Sequence, residues 1–548
     1  MSEVAQTDVL VIGGGINGAG TFRDLCEQGV DCVLIERGDF CSGASAASSR
    51  LMHGGLKYLE TGEFRLVRES LVERNRLLAN APHVVSPLPT ILPLRSRFGG
   101  IGPSVLRFLG RKAELRDRGS VITRLGLALY DLYGRTQRAM PTHRILGRRA
   151  LERRVRGLDA GIIAGGLYYE GQLSHAERLG LELLLDGERA NPASRALSHV
   201  RITDAGGGVV TFVQNGEPQR LRPKVIVNAG GAWIDAVNRD LGLETTLMGG
   251  SKGSHLVVDN PALHAALNGH MVYFGTSDGR VNLCYPFMGK VLVGSTDLPV
   301  PDPDAAACDE GEVAYMIAAV VEIFPDMGIE ESQVRYRFCG VRPLPRSGGP
   351  VGSVSRDHSI ARLALGDVPV LCLIGGKWTT FRAFSEQAAD EVLGLLGRSR
   401  RVKTHSLPIG GGKGFPTGEA ARAAWVARVA GETGLATARV AVLLGRYGTG
   451  AEAVAKACRN ETPLASLPGW SRQELAHLCR TERVAHLSDL LLRRTLIALS
   501  GHLDSAVIAE AAEVAAGMLG WTAARRAEEE AAMVAYLEGP GRTPHQAA

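Results

Sequence analysis

Long apolar runs are missing from this sequence: no stretch of about 18 uninterrupted apolar residues occurs, so no transmembrane helix is predicted. Met1 to Thr7 contains neither a basic nor an apolar stretch, which argues against a secretory signal. The nine cysteines are scattered and never form a C-x-x-C pair, which excludes a recognisable zinc motif and a disulfide framework. Together these absences favour a protein of the reducing cytoplasm.

Glycine is the residue in excess. It accounts for 68 of 548 residues, about 12% against a typical ~7%. Apolar residues make up 45% and charged residues 22%, as in ordinary globular proteins, so a disordered chain is excluded. The length exceeds what one hydrophobic core normally serves and predicts two or three domains. Glycine without low-complexity repeats indicates sharp turns and close approach of the backbone to a ligand.

Positive charge is concentrated in one segment. The formal net charge is only +5, but residues 95–156 hold 16 Lys and Arg against 4 Asp and Glu, a local charge of +12, which leaves −7 for the rest. This asymmetry predicts an anionic surface as partner, either a membrane or a nucleic acid. The segment has no recognisable nucleic-acid module and no interleaved aromatic pattern, which argues against nucleic acid.

A strand, a glycine turn, a helix and a second strand open the chain. Asp8 to Ile12 is short and apolar, like a buried parallel strand. It runs into Gly13-x-Gly15-x-x-Gly18 and a helix, and a strand from Asp31 then ends at Glu36. This context predicts a dinucleotide site at the helix N-terminus, with Glu36 accepting hydrogen bonds from the ribose hydroxyls.

The position of this motif favours FAD over NAD, because it lies at the extreme N-terminus and long interrupted sequence follows. Residues 228–231 and 374–376 are two later junctions at which a buried strand meets glycines. We expect both strands in the same doubly wound sheet, with their glycines near the isoalloxazine ring. Alanine-rich helical sequence follows a glycine-rich linker at residues 407–414.

The predicted fold class is mixed, α/β with α+β. A Rossmann-like, doubly wound FAD-binding domain (1–90, 160–240 and 335–400) carries an inserted β-rich substrate or cap domain (91–159 and 241–334). A helical C-terminal domain is predicted at 405–548. The basic segment falls in the cap domain and is expected to face the membrane.

Residues 47–60 carry a family resemblance. Their sequence, Ala-Ser-Ser-Arg-Leu-Met-His-Gly-Gly-Leu-Lys-Tyr-Leu-Glu, resembles the signature of FAD-dependent glycerol-3-phosphate dehydrogenases. Further motifs keep the family's order at residues 63–69, 252–255, 294–297, 340–344, 355–357, 375–380 and 489–495. The resemblance implies oxidation of sn-glycerol 3-phosphate to dihydroxyacetone phosphate, with FAD as hydride acceptor and a membrane quinone as the next acceptor.

The resemblance also implies site residues. His255, Lys377 and Arg342 match catalytic positions: His255 as the base, and Lys377 as a cation that stabilises the developing alkoxide or the reduced flavin. Arg342 and Arg356 match the phosphate-binding arginines. The implied substrate-binding residues are Lys57, Tyr58, Arg342, Arg356 and His255.

Cofactor-binding positions follow in the same way, with no metal and no covalent attachment of the flavin. These positions are Gly13, Gly15, Asn17, Gly18, Glu36, Ser48, Ser49, Gly54, Gly55, Leu56, Gly230, Gly376, Lys377, Thr379 and Thr380. His53 has two open interpretations, as a flavin-side residue or as part of a glycine-rich turn. Ser48 and Ser49 could instead cap a helix.

Three departures from the family pattern bear on the substrate. Lys57 replaces an arginine and so loses a bidentate donor. Ala44-Ser45-Ala46 replaces Thr-Ser-Ser, and His175-Ala176-Glu177-Arg178-Leu179 replaces Asp-Ala-Arg-Leu. They make a longer polyol phosphate, such as erythritol phosphate, the main alternative. An amine or amino-acid oxidase, and a flavoprotein scaffold or nucleic-acid binder, are the remaining alternatives.

The expected partners are a polyol phosphate, a quinone and, peripherally, the inner face of the cell membrane; a homodimer is compatible with the sequence. The basic segment would supply the charge for membrane contact. Its expected apolar side consists of Val105, Leu106, Phe108, Leu109, Val121, Ile122, Leu125, Leu127, Leu129 and Tyr130.

Overall fold

The computed structural model describes residues 4–55, 63–97, 120–134, 139–214, 216–276, 280–346 and 357–539. The strands are β1 Val4–Ile12, β2 Cys32–Ile35, β3 Leu51–Met52, β4 Val85–Leu94, β5 Arg144–Gly147, β6 Ala164–Leu173, β7 Arg195–Leu197, β8 Arg201–Gly206, β9 Val209–Gln214, β10 Glu217–Asn228, β11 Ser251–Val258, β12 Met271–Gly275, β13 Val281–Phe287, β14 Lys290–Gly294, β15 Leu298–Pro299, β16 Val334–Arg342, β17 Ser359–Leu365 and β18 Val368–Ile374.

The α-helices are α1 Ile16–Glu27, α2 Phe64–Asn80, α3 Ser120–Tyr133, α4 Arg148–Glu152, α5 Ala176–Ala190, α6 Ile234–Asp240, α7 Pro261–Leu267, α8 Glu310–Ile323, α9 Phe381–Leu395, α10 Glu419–Thr433, α11 Thr437–Tyr447, α12 Ala451–Ala457, α13 Arg472–Thr481, α14 Ser505–Leu519 and α15 Ala523–Glu538. Residues Asp489–Arg494 form one π-helical segment.

The first sheet has the order β17-β18-β10-β1-β2-β7, with β9 and β8 added beside β10. Its central strands β18, β10, β1, β2 and β7 run parallel. Helices α1, α5 and α9 pack on one face, where apolar side chains of strands and helices form a continuous core. This is the predicted doubly wound sheet, and it confirms that both later strand-to-glycine junctions belong to it.

The second sheet is mixed and has ten strands, with the path β15-β11-β14-β13-β12-β4-β6-β3. It includes β6 and β16, which the predicted boundaries assign to the FAD-binding domain. The division between the two sheets therefore does not follow those boundaries, which stay a prediction for the domains. The chain crosses between the two sheets several times, and buried apolar strands such as β1 and β14 occur in both sheets, so periodicity cannot tell the sheets apart.

Helices α10 to α15 form a separate apolar core after residue 419, as the sequence predicts. Buried ion pairs join this unit to the cofactor-binding part of the chain. Arg494 pairs with Asp39 through two hydrogen bonds of 2.7 Å, and Arg178 pairs with Glu482. Within the described ranges, no helix is both long and apolar enough to cross a bilayer.

Candidate active site

A large cavity lies where the carboxyl ends of β1, β10 and β18 approach the second sheet. Its volume is about 1550 Å³, which is ample for a dinucleotide and a small substrate together. The first sheet contributes the glycine turns that follow its strands. The second sheet contributes residues of β11, β12, β13 and β16. Open parallel sheets bind ligands at this edge.

The turn after β1 leaves no room for side chains. Gly13 has φ +108°, and a Cβ there would lie 2.6 Å from the carbonyl oxygen of Ala229 at the end of β10. A Cβ on Gly18 would lie 1.9 Å from the carbonyl oxygen of Gly13. The start of α1 can therefore approach both the strand end and a ligand only because these positions are glycine.

Glu36, directly after β2, contacts this turn through its side chain. Its carboxylate accepts hydrogen bonds from the backbone N–H groups of Gly14 at 2.6 Å and Gly38 at 2.8 Å. Burial raises the pKa of Glu36, and these two donors act in the opposite direction. The side chain borders the cavity. It is therefore placed to contact ribose hydroxyls, as the sequence predicts.

Asn17 connects the first glycine turn to the last one. Its Nδ2 donates to the carbonyl oxygen of Gly375 at 3.0 Å. Its buried Oδ1 has no hydrogen-bond partner within the described part of the chain. Gly375 and Gly376 have φ +79° and +83°, and a Cβ on Gly376 would lie 2.6 Å from the Asn17 amide. The backbone cradle and the unused acceptor both fit a dinucleotide cofactor.

His255 is buried among apolar and hydroxyl groups. Its Nε2 lies 2.7 Å from the Ser49 Oγ, and its ring stacks on Phe338 at 5.2 Å between centroids. Burial, with smaller contributions from Arg342 and Arg50, lowers the pKa of His255 to about 3. The imidazole is therefore neutral at physiological pH, and an imidazolium there would be strongly disfavoured.

His53 has the opposite surroundings. Its Nδ1 lies 2.9 Å from Glu170, and the backbone N–H of Gly54 donates to the same carboxylate at 2.8 Å. Tyr130 also donates to Glu170 at 2.9 Å. Burial alone would raise the pKa of Glu170, but His53, with Arg74 and the Gly54 N–H, holds it below its usual value. A buried carboxylate therefore supports an imidazole that faces the cavity.

Sequence reasoning did not identify Glu170 and left His53 open. Glu170 lies on β6, more than a hundred residues from His53, and belongs to none of the recognised motifs. The signal that could have found it is an acidic residue in the otherwise apolar run of β6, since a buried carboxylate needs a partner.

Arg342 ends β16 at the cavity wall, and protein groups hold its guanidinium. Its NH1 donates to the carbonyl oxygen of Lys252 at 3.0 Å and to Asp297 at 2.9 Å, while its NH2 donates to the carbonyl oxygen of Thr296 at 2.9 Å. Lys377 borders the same cavity directly after Gly376. Two cationic side chains therefore line the same cavity as His53 and His255.

Most described residues of the predicted site come together at this cavity. Those that line it are Gly13, Gly15, Asn17, Glu36, Ser48, Ser49, Gly230, His255, Arg342, Gly376, Lys377 and Thr379. Gly18, Gly54, Gly55 and Thr380 do not line it, and at Gly18 and Gly54 a Cβ would collide with neighbouring atoms. Leu56, Lys57, Tyr58 and Arg356 lie outside the described residues.

The changed motif at residues 175–179 has a structural role in this chain. Glu177 pairs with the fully buried Arg50, accepting from its NH1 at 2.9 Å. Arg178 pairs with Glu482 of the C-terminal helices. These two charges stabilise the packing of α5 and do not reach the cavity. Ser45, by contrast, lines the cavity, and its Oγ accepts from the Ile16 N–H at 3.0 Å.

The doubly wound sheet, the glycine cradle and the histidine–carboxylate pair at one cavity define a dinucleotide-dependent oxidoreductase. Residues 8–382 match the family described as FAD dependent oxidoreductase, and residues 402–526 match the C-terminal domain of alpha-glycerophosphate oxidase. A glycerol-3-phosphate dehydrogenase of Synechocystis sp. is 34% identical over 441 residues, which cover 76% of this chain and 75% of that protein. The chain belongs to the family of FAD-dependent glycerol-3-phosphate dehydrogenases.

Two further similarities bear on the substrate and on the fold. A D-erythritol 1-phosphate dehydrogenase of Brucella abortus is 32% identical over 428 residues, or 75% of this chain and 79% of that one. The solved structure of a glycerol-3-phosphate dehydrogenase from Bacillus halodurans, complexed with FAD, has a TM-score of 0.74 at 24% identity. The match includes 97% of this chain and 95% of the Bacillus halodurans chain. The second similarity supports the fold over the whole chain, including the C-terminal helices.

Proposed function

We propose that this enzyme oxidises sn-glycerol 3-phosphate to dihydroxyacetone phosphate. The observation that carries the proposal is that His53, which is supported by Glu170, lines the same cavity as Arg342 and Lys377. Oxidation of a secondary alcohol needs a proton acceptor, and a phosphate needs fixed cations. The relative from Synechocystis, which carries the name glycerol-3-phosphate dehydrogenase, supports the same substrate.

Bound FAD supplies the acceptor for the hydride from C2 of the substrate. His53 takes the proton from the C2 hydroxyl, because the Glu170 carboxylate stabilises the imidazolium that forms. His255 stays neutral, and with Ser49 it orients the substrate through hydrogen bonds. Lys377 stabilises negative charge at the reacting oxygen. His53 therefore replaces His255 as the proposed base, and His255 keeps a binding role.

Arg342 is the proposed phosphate-binding residue within the described chain. Its guanidinium is already oriented by Asp297 and by two carbonyl oxygens, so little side-chain entropy is lost when a phosphate binds. Arg356, Lys57 and Tyr58 remain proposed substrate contacts from the sequence resemblance.

Anaerobic reduction of the bound flavin tests this function directly. We expect glycerol 3-phosphate to bleach the flavin absorbance and glycerol to leave it unchanged, because only the former offers a phosphate to Arg342. Bleaching by amines or amino acids instead of phosphorylated polyols would contradict the proposal and favour the oxidase alternative. The match of residues 402–526 to a glycerophosphate oxidase domain argues against that alternative.

A tetritol phosphate is the second candidate substrate, because a D-erythritol 1-phosphate dehydrogenase is nearly as similar as the glycerol-3-phosphate dehydrogenase. We propose that Lys57 influences this choice, since ammonium is more compact than the guanidinium usual in the family. The Lys57→Arg variant should shift the ratio of kcat/KM for the two substrates. An unchanged ratio would remove Lys57 from the specificity determinants.

The proposed electron acceptor is a quinone, with the protein bound peripherally to the membrane. Support comes from α3, whose Leu125 and Leu132 lie seven residues apart on one helix face and are 65% and 53% exposed. Leu127 and Tyr130 of the same helix are buried in the core, so their predicted membrane-facing role is wrong. The basic residues 98–119 lie outside the described chain.

Cosedimentation with vesicles tests this surface. The Leu125→Gln/Leu132→Gln variant should bind anionic vesicles more weakly, and added salt should weaken binding of the parent protein. Val442→Gln is a matched control, because Val442 is also exposed, at 44%, but lies on α11 of the C-terminal helices. Equal binding by all three proteins would rule out α3 as the membrane contact.

A further inference from the structure

His486 brings the C-terminal helices to the wall of the cavity. Among the described residues, it is the one cavity-lining side chain that comes from beyond residue 400. It lies at the end that also contains Glu36, Gly38 and the segment 199–202, far along the chain from the residues proposed for catalysis. The site therefore contains a contribution that the sequence resemblance does not assign.

The segment beside His486 is tied to the ribose-binding acid. The backbone N–H of His199 donates to the carbonyl oxygen of Gly38 at 2.9 Å, and that of Val200 donates to the carbonyl oxygen of Glu36 at 2.9 Å. The rings of His199 and His486 are 4.5 Å apart between centroids. Glu36 marks where the ribose of the cofactor would lie, so this ring pair lies at the adenosine end of the cavity.

A dense set of contacts holds His486 in place. Its backbone N–H donates to Asp489 at 2.9 Å, and the same carboxylate oxygen lies 3.1 Å from the His199 Nε2. Its Nδ1 lies 2.8 Å from Glu529 and 2.9 Å from Arg525, both on α15. With Nδ1 occupied and the side chain 26% exposed, the Nε2 edge is the part of the ring left to face the cavity.

We propose that His486 binds the adenosine half of FAD and so makes cofactor retention depend on the docked C-terminal helices. The proposal rests on the FAD dependence of the family and is independent of which polyol phosphate is oxidised. The imidazole would offer a polar edge and a ring face to the adenosine. Glu529 and Arg525 act as positioning residues, since they contact the ring from the side opposite the cavity.

Release of FAD from the diluted holoenzyme, followed by flavin fluorescence, measures the proposed contact. We expect His486→Ala to raise the dissociation constant for FAD about 3–15-fold, the range that one lost hydrogen bond with a ring contact would produce. The concentration of ADP needed to displace FAD reports on the adenosine half alone. The intrinsic affinity for ADP should fall by a similar factor, whereas the affinity for FMN should not change.

His502→Ala is the matched control, because His502 also belongs to the C-terminal helices and bonds to Ser500, away from the cavity. It should retain the parental affinity for FAD and ADP. His486→Gln keeps a polar edge and should recover part of the lost ADP affinity, which a loss of folding would not allow. Parental FAD and ADP affinities in His486→Ala would overturn the proposal. So would a lowered melting temperature with unchanged ADP affinity. Anaerobic flavin reduction tests the substrate separately.

Discussion

Two histidines on one cavity show how surroundings decide the chemistry of a side chain. His53 lies beside a buried carboxylate, whereas His255 lies beside a hydroxyl and an aromatic ring, and burial, with smaller contributions from two arginines, lowers its pKa. The carboxylate orients the imidazole of His53, whereas the surroundings of His255 oppose its protonation. A proton acceptor must hold its proton after the hydride leaves, so the environment of His53 suits that task.

His53→Asn should slow anaerobic flavin reduction by about 10²–10⁴-fold, because a general base contributes about that much. Glu170→Gln should slow it in the same direction but less, since the imidazole remains. Stopped-flow absorbance of the flavin measures both. His255→Asn is the matched control and should mainly raise KM. A larger loss of the reduction rate in His255→Asn than in His53→Asn would return the role of base to His255.

At the scale of elements, the junction of β1 with α1 decides whether a cofactor can bind. The helix N-terminus can stabilise a pyrophosphate only if the backbone comes close, and the contacts of Gly13 and Gly18 leave no space for a methyl group. Other glycines of this chain lie where a side chain would meet no neighbouring atom. Gly431 in α10 has open space around the position of a Cβ.

Gly18→Ala should therefore release FAD from the purified protein, seen as a loss of flavin absorbance relative to protein absorbance. Gly431→Ala should keep the flavin and stabilise the protein by about 0.5–1 kcal/mol, the usual difference between the two residues inside a helix. Its melting temperature should rise accordingly. Full flavin content in Gly18→Ala would show that α1 can shift without loss of the site.

At the scale of the whole molecule, buried charges join the C-terminal helices to the cofactor-binding sheet. Asp39 receives hydrogen bonds from Arg494, and Asp489 receives them from Arg493 and from His199. Removing one partner of such a group typically costs about 3–5 kcal/mol, because the other charge stays buried. These contacts, called the joint below, therefore fix one geometry between the two parts of the chain. His486 lies beside His199 in the same joint.

This joint should make stability depend on pH. Burial lowers the pKa of His199, but the hydrogen bond and charge of Asp489 outweigh it, so the pKa lies above its usual value. Burial raises the pKa of Asp489, but His199 and Arg493 outweigh it, so that pKa is strongly lowered. The stabilisation by His199 is complete below about pH 6.5 and is lost as pH rises through its folded-state pKa. The stabilisation by Asp489 is present above about pH 4 and is lost in acid.

The joint should therefore be strongest between about pH 4 and pH 6.5. The melting temperature of the parent protein, minus that of His199→Asn, should decrease as pH rises from 6 to 9, because only the parent loses a proton from this imidazole. The subtraction removes the contribution of other titrating groups. A difference that stays constant or increases over that range would contradict the raised pKa of His199.

The sequence by itself determined the features that depend on neighbouring residues. Strand periodicity, the spacing of Gly13, Gly15 and Gly18, and the acid at Glu36 predicted the cofactor-binding unit, because a tight turn and its helix are local structures. Ordered motifs along the chain indicated the family and the C-terminal helical unit. His255, Arg342 and Lys377, which the resemblance implied as site residues, line one cavity, and their roles stay predictions.

Only the tertiary structure decided what depends on residues distant in sequence. Glu170 lies on a strand of the second sheet and contacts His53 of the cavity lining, and His486 belongs to the C-terminal helices and lines the same cavity. The membership of β6 and β16 in the second sheet was decided in the same way. Proton affinity, burial and the choice between two sheets are set by packing partners, and a single sequence does not encode those partners in any local pattern.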